Sequence, residues 1–277
     1  MNEPGIAQVD RRRVALFAHL DSAVEAVRII ERHGRLVALV TGANRLDCLS
    51  GDLAGLVGKL GVPILVQPPS SAPEYSDFES RFRALGPDLL VSFSHAMILH
   101  PGILTATRLM GMNLHNGHLP EYRGANVVNW AVVNGETHAG VTLHWMDQGL
   151  DTGAIIAAEQ TPITREDTAL TVRDRLVGLG WKLLDRHLPD ALAGNAPGIQ
   201  QDESRARVWP RRTPDDGRID WSWPAVRIHD LIRALVSPWP GAWYLDGEGR
   251  RTVIDRWIPM EEVERLKAEF EMHVRKP

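Results

Sequence analysis

The residues best suited to chemistry crowd one short stretch. "MNLHNGHLPEYRG" (112–124) holds Asn113, His115, Asn116, His118, Glu121, Tyr122 and Arg123 behind a brief apolar run. Asn113 and His115 are two apart, so if "MNL" ends a strand their side chains share one face. Asp151 follows much later, in the glycine-punctuated turn "MDQGLDTG" (146–153). An asparagine amide can donate to a developing oxyanion, and a histidine can move protons near neutral pH. An aspartate can orient that histidine or hold a bridging water. Such a set suits acyl transfer in which the substrate itself brings the nucleophile, because no side chain here is an obvious one. Asn, His and Asp are also ordinary residues at strand ends, and spacing alone leaves both readings open.

Other chemistries find less support. His115 and His118 stand three apart and His144 could join them, but a zinc site needs three or four converging ligands. This H-x-x-H follows a strand and precedes a proline instead of lying on a helix, so no metal is expected. No G-x-G-x-x-G follows the first strand, and "GLVGKLG" (55–61) resembles a phosphate loop only superficially, with Leu60 where a Ser or Thr belongs. There is no G-x-S-x-G elbow.

The elements that must position these residues read as an alternation. "VALFA" (14–18), "LVALV" (36–40), "VPILV" (62–66), "DLLVSF" (88–93) and "MNL" (112–114) are strand candidates. A helix capped by Asp21 or Ser22, carrying Val24, Val27 and Ile30, separates the first two strands, and a helix around 76–85 precedes the fourth. Strand, helix, strand in so few residues implies a parallel sheet. "NVVNWAVVNG" (126–135) reads as a helix ended by Asn134 and Gly135. "GVTLHWM" (140–146) and "GAIIAAEQTPI" (153–163) read as an antiparallel pair, and 168–192 as a long amphipathic helix. The Pro-, Gly- and charge-rich run from Ala193 to Gly217 is the best boundary. Beyond it come a helix capped at Ser222, a hairpin turning at Asp246–Gly249, and a terminal helix. Six of the nine tryptophans (209, 221, 223, 239, 243, 257) fall in this last quarter, as a small satellite core or as a pocket wall.

Composition sets the outer limits. With 277 residues and 44% apolar content, the chain can bury a real core. A net charge of -4 argues against a broad nucleic-acid surface, and the basic "RVWPRR" (207–212) is cancelled by "TPDDG" directly after it. The lone Cys48 permits no internal disulfide and suits a reduced, cytoplasmic setting. No stretch approaches a membrane span, and the N-terminal apolar run, which begins only at Val14, is too short for a signal sequence.

"MNLHNGHLPEYRGANVVNW" followed by "GVTLHWMDQGLDTGAII" resembles the folate-dependent formyltransferase family, whose hallmark is N-x-H, an "LP-x-Y-R-G" segment and a later "D-x-x-x-D-T-G". The likeness runs through most of 14–200, and "RRTPDDGRIDWSWPAVRIHDLIRALVSPWPGAW" resembles the segment that follows the catalytic domain in the tRNA and amino-arabinose enzymes. The resemblance implies an α/β fold: a Rossmann-like, mostly parallel twisted sheet with flanking helices and a small C-terminal appendage. It implies a catalytic domain over 1–200 and a subdomain over 205–277. It implies Asn113, His115 and Asp151 as the catalytic residues and 10-formyltetrahydrofolate as formyl donor, without a metal. The donor's crevice would be lined by Phe93, Ser94, His95, Ala96 and Met97, by Gly117, His118, Leu119 and Pro120, and by Asp147, Gln148, Gly149 and Leu150. Tyr122 and Arg123 would contact the substrate.

Departures from the family narrow the expected amine. Asn116, Gly117 and His118 replace the commoner residues after the histidine, and Ala125 and Ala96 stand where the amino-arabinose enzyme has arginines. "TGANRLDCLSGDLAG" (41–55) is neither long nor basic, and few residues follow Ile258, so the expectation is a small-molecule amine and no nucleic acid. A nucleotide-linked amino sugar is the leading expectation and N5-hydroxyornithine of siderophore assembly the alternative. Methionyl-tRNA, hydrolysis of the formylfolate, and a catalytically idle binding protein follow behind. The C-terminal hairpin is a candidate surface for a homodimer.

Overall fold

The structure is a computed structural model that describes residues 11–274, so the reading of the first ten residues as carrying no leader lies outside the described residues. Strands β1 (Arg13–Phe17), β2 (Arg35–Gly42), β3 (Ile64–Gln67), β4 (Leu89–Phe93) and β5 (Gly111–His115) match the expected runs. Helices α1 (Val24–His33), α2 (Gly51–Lys59), α3 (Tyr75–Ala84) and the single turn α4 (Pro101–Leu104) connect them. After β6 (Arg123–Gly124) and α5 (Val127–Val133) come β7 (His138–Trp145) and β8 (Ile155–Pro162), then the long α6 (Ala169–Ala193). The chain finishes with β9 (Val208–Trp209), α7 (Ala225–Ala234), β10 (Ala242–Leu245), β11 (Arg251–Ile254) and α8 (Met260–Val274).

Seven strands form one sheet in the order β3-β2-β1-β4-β5-β7-β8, and the pairs from β3 through β5 are parallel. The order reverses between β1 and β4, the topological switch point beside which doubly wound sheets place their ligands. Residues alternate across the strands. Ala15, Phe17, Ala38, Val40 and Leu90 pack with Tyr75, Phe78 and Phe82 of α3, while the intervening Val14, Leu16 and Leu39 are equally buried.

The chain divides into two compact units. The first comprises Met1–His115, Leu143–Ala157 and Trp181–Gln200. The second comprises Asn116–Thr142, Ala158–Gly180 and Gln201–Pro277.

Two local expectations are corrected. Asp21 and Ser22 do not cap α1, which is entered through a 3-10 turn; Asp21 instead accepts from the Ser50 hydroxyl, and Ser50 caps α2 through the Leu53 N–H. Ser222 does not cap α7, whose entry is Pro224, because both its N–H and its hydroxyl are taken by Asp220 in a local turn. "GLVGKLG" belongs largely to α2, where Leu53 and Val57 at i, i+4 are buried despite three glycines.

The tryptophans divide between the two roles open to them. Trp221 is buried, stacked on Phe270 with centroids 5.4 Å apart and edge-on to Tyr244, and belongs to a small core of the second unit. Trp209 lines a cavity described below.

Candidate active site

The C-terminal end of β5 delivers the expected pair. Met112 and Leu114 point into the core, and Asn113 and His115 therefore share the other face. β7 lies next to β5 in the sheet, and the Met146 N–H donates to the Gly111 carbonyl at 2.7 Å. This register sets His144 opposite Asn113, with Asn113 Nδ2 3.2 Å from His144 Nε2. The chain then turns back. The Trp145 N–H donates to the Ala154 carbonyl, and within the turn Asp147 accepts from the Gly149 N–H at 3.0 Å and the Thr152 hydroxyl at 2.6 Å.

That turn holds Asp151 with a positive φ of 55°, a backbone state that suits Asp among the side-chain-bearing residues. Its carboxylate reaches both histidines: Oδ2 is 3.7 Å from His115 Nδ1 and Oδ1 is 3.7 Å from His144 Nε2. Asn113, His115, His144 and Asp151 thus form one group within the first unit. His115 and His144 are buried, their rings edge-to-face at 6.3 Å. From sequence alone His144 is a candidate only for a metal. The cross-strand register decides what a β7 residue faces, and no local pattern encodes it. Among the described residues, no group of three or more His, Cys, Asp or Glu side chains is arranged to hold a metal ion.

The residues expected around the formyl donor fall in three places. Phe93 ends β4 inside the core, Ser94 turns the chain with φ 52°, and His95, Ala96 and Met97 are half-buried beyond it. This loop leaves the sheet beside the switch point. His95 Nε2 meets Gln67 Oε1 at 2.7 Å, and its ring packs edge-on to Phe17. Burial pushes the His95 imidazole down to about 4, helped by the nearby His19, so it is neutral at physiological pH. Asp147, Gln148, Gly149 and Leu150 lie exposed on the turn before Asp151.

The third place is in the second unit. Gly117 and His118 line a cavity of about 520 Å³ there, together with Tyr122, Glu136, Gln160 and Trp209. Leu119 and Pro120 are buried. Tyr122 and Trp209 stack nearly parallel, 14° apart with centroids at 5.4 Å. The Tyr122 hydroxyl donates to Glu136 Oε1 at 2.7 Å, and burial raises its pKa, so the phenol stays protonated. Arg123 is buried, and its guanidinium is bonded to Gln201 at 2.8 Å and to Glu203 at 2.6 Å, which gives it a structural task in this unit. Gly124 has a φ of 102°, and a Cβ there would strike the Trp209 carbonyl, so only glycine follows Arg123 comfortably.

A doubly wound sheet thus gathers at its strand ends an amide donor, two histidines and a carboxylate, a set compatible with group transfer. The chain's family is formyl transferase. The formyl transferase model matches residues 65–188 and the formyl transferase C-terminal domain model matches residues 211–262, which together take in well over half of the chain. The chain belongs to that family and is a formyltransferase.

Solved structures share the fold. A sugar N-formyltransferase from a Shewanella species superposes with a TM-score of 0.70 at 20% identity, over 90% of this chain and 98% of that one. A 4-N formyltransferase from Francisella tularensis reaches 0.73 at 15% identity, again over 90% and 98%. An N-formyltransferase from Helicobacter canadensis, in complex with folinic acid and dTDP-3-aminofucose, reaches 0.67 at 19% identity over 81% of each chain. Among the described residues, no helix is long and apolar enough to cross a membrane.

Proposed function

We propose that this protein moves the formyl group of 10-formyltetrahydrofolate onto the amino group of a nucleotide-linked sugar. The observation that carries the chemistry is the convergence of Asn113, His115 and Asp151: an oxyanion donor and a proton carrier, with no serine or cysteine among them. The amine must arrive uncharged, with its lone pair directed at the formyl carbon. Asn113 donates an N–H to the formyl oxygen as charge gathers there. Neutral His115 takes the proton that the attacking nitrogen gives up, supports the same oxygen as the imidazolium so formed, and passes that proton to the departing N10 of the folate. Asp151 faces His115 Nδ1 at 3.7 Å, and its negative charge supports the imidazolium that forms there. Loop 93–97 and turn 147–150 would hold the folate, and a neutral His95 suits a flat heterocycle better than a phosphate.

Two observations support the sugar nucleotide. The Helicobacter canadensis relative was crystallised with an amino sugar on a nucleotide. The cavity of the second unit has the size of a small-ligand site and joins a Tyr122–Trp209 stack to the acceptors of Glu136 and Gln160, a lining that fits a hydroxyl-rich ring. The exposed, unpaired Cys48 supports a reduced, cytoplasmic setting.

Formyl transfer measured with 10-formyltetrahydrofolate against dTDP-, UDP- and GDP-amino sugars and N5-hydroxyornithine tests this. Turnover with one or more of the sugar nucleotides is expected. Turnover with hydroxyornithine alone would move the substrate to the siderophore alternative. Release of formate without any amine would make the protein a hydrolase, and folate binding without turnover would leave it a binding protein.

A further inference from the structure

We propose that His144 is a positioning residue whose one task is to fix which way the Asn113 amide faces. The inference rests on the formyl-transfer reading of the same site, but its foundation is hydrogen-bond polarity. His144 Nδ1 lies 2.8 Å from the Trp145 backbone carbonyl, which can only accept. Nδ1 therefore carries the ring hydrogen. In the neutral ring Nε2 is then an acceptor, and 3.2 Å away stands Asn113 Nδ2, which can only donate. Rotating the Asn113 amide by half a turn would set its oxygen against the Nε2 lone pair, two acceptors face to face at a part-buried position. With Nδ1–H committed to the Trp145 carbonyl, His144 thus holds the amide nitrogen toward β7.

The consequence concerns the oxyanion. A primary amide has two N–H groups, and one is spent on His144. The second projects at about 120° from the first and is held at a fixed angle for the formyl oxygen. Asn113 without His144 keeps its chemistry but loses its orientation, because amide oxygen and nitrogen are nearly the same size. Asp151 Oδ1, at 3.7 Å from Nε2, is too far to take Asn113's place as a hydrogen-bond partner. No part of this needs His144 to touch substrate. A positioning residue acts only through the group it positions, and that makes the proposal separable from a purely structural role.

The test has two arms. In the first, the nitrogen chemical shifts of the His144 imidazole are read in the folded wild-type protein without substrate. The Nδ1–H tautomer is expected, and the Nε2–H tautomer would overturn the proposal whatever the enzyme's substrate proves to be. In the second, kcat and KM for formyl transfer are measured for His144→Ala, Asn113→Ala and the double variant. His144→Ala should lower kcat by roughly ten- to a hundredfold, less than the loss of the donor itself, and leave KM within about threefold. In the Asn113→Ala background the same change should cost less than about twofold, since the group it orients has gone. Multiplicative losses, or a rise in KM at constant kcat, would refute it. His144→Gln, whose side-chain oxygen can accept, should recover part of kcat, and it supplies the kinetic comparison if the alanine variant does not fold. An inactive wild type would remove the proposed function, while the tautomer would still decide this inference.

Discussion

Asp151 and Asp167 are both largely hidden aspartates, one in each unit, and they do opposite things with the same carboxylate. Asp167 is saturated. It takes Arg175 Nη1 at 2.5 Å and Nη2 at 2.8 Å, the Thr164 N–H at 2.8 Å and the Thr171 hydroxyl at 2.9 Å. The Arg175 guanidinium foremost, then the threonine donors, hold its carboxyl well below the usual range. Asp151 instead faces two histidines, each 3.7 Å away. An arginine partner stays charged at every working pH and locks its aspartate into structure. A histidine partner can change its protonation state near neutrality, and the proposed mechanism gives Asp151 a place in proton transfer on that ground. In that proposal the identity of the partner, more than burial, separates a strut from a working carboxylate.

Breaking the working group should have the largest effect. Asn113→Ala and His115→Ala are each expected to cost roughly a hundredfold or more in kcat, about 3 kcal/mol of barrier, while the circular dichroism spectrum stays that of the wild type. Normal turnover by either variant would end the assignment. Asp151→Asn should follow, with a loss of about tenfold or more and a shifted pH–rate profile, because the amide cannot balance charge on His115. Its Tm should stay within a few degrees of the wild type. An unchanged pH profile would reduce Asp151 to a turn residue.

Asp167→Asn should show the reverse pattern: unchanged kcat and a loss of about 2 kcal/mol in stability, a modest figure because Arg175 is partly exposed and water screens the pair. The pH dependence has a definite sign. The folded-state carboxyl is depressed, so its contribution is complete above the unfolded value near 3.8 and disappears as pH falls through the folded value. His95 destabilises the fold over a higher window. Its folded value of about 4 lies below the ordinary 6.5, so the unfolded chain gains protons first and stability declines between those two pH values. A urea titration of the wild type across pH 7 to 4, repeated with His95→Gln, would show a flatter slope in the variant. Identical slopes would remove His95 from the acid response.

Much of this was legible in the sequence because it depends on local pattern. Buried parallel strands need continuous apolar runs, and "VALFA", "LVALV" and "DLLVSF" display them. That Asn113 and His115 share one face follows from the two-residue period of a strand, while their roles come from the family resemblance. What stayed hidden depends on register between distant strands. Nothing near His144 in sequence says that it will face Asn113, and nothing near Trp209 says that it will stack on Tyr122. Helix α2 was hidden because Gly51, Gly55 and Gly58 oppose helix formation, and burial of Leu53 and Val57 overrides them. Ser222 does not cap because its short polar side chain bonds within its own turn, and Asp21 does not because its carboxylate is taken by the distant Ser50 hydroxyl.

The smallest expected effect would refine the contrast between strut and working carboxylate within a single turn. Asp147 lies four residues before Asp151 and shares its loop, yet among the described residues it binds the loop itself, through the Gly149 N–H and the Thr152 hydroxyl. By the partner rule it is a strut. Asp147→Ala should therefore loosen the turn without removing a proton path. The expected outcome is a KM for 10-formyltetrahydrofolate raised by about two- to threefold, with kcat nearly constant and the pH–rate profile unmoved, as for lost uniform binding. A kcat loss matching that of Asp151→Asn would mean that the turn's exact shape, and not the carboxylate beside the histidines, limits the reaction. Proton transfer would then have to be reassigned to His115 alone.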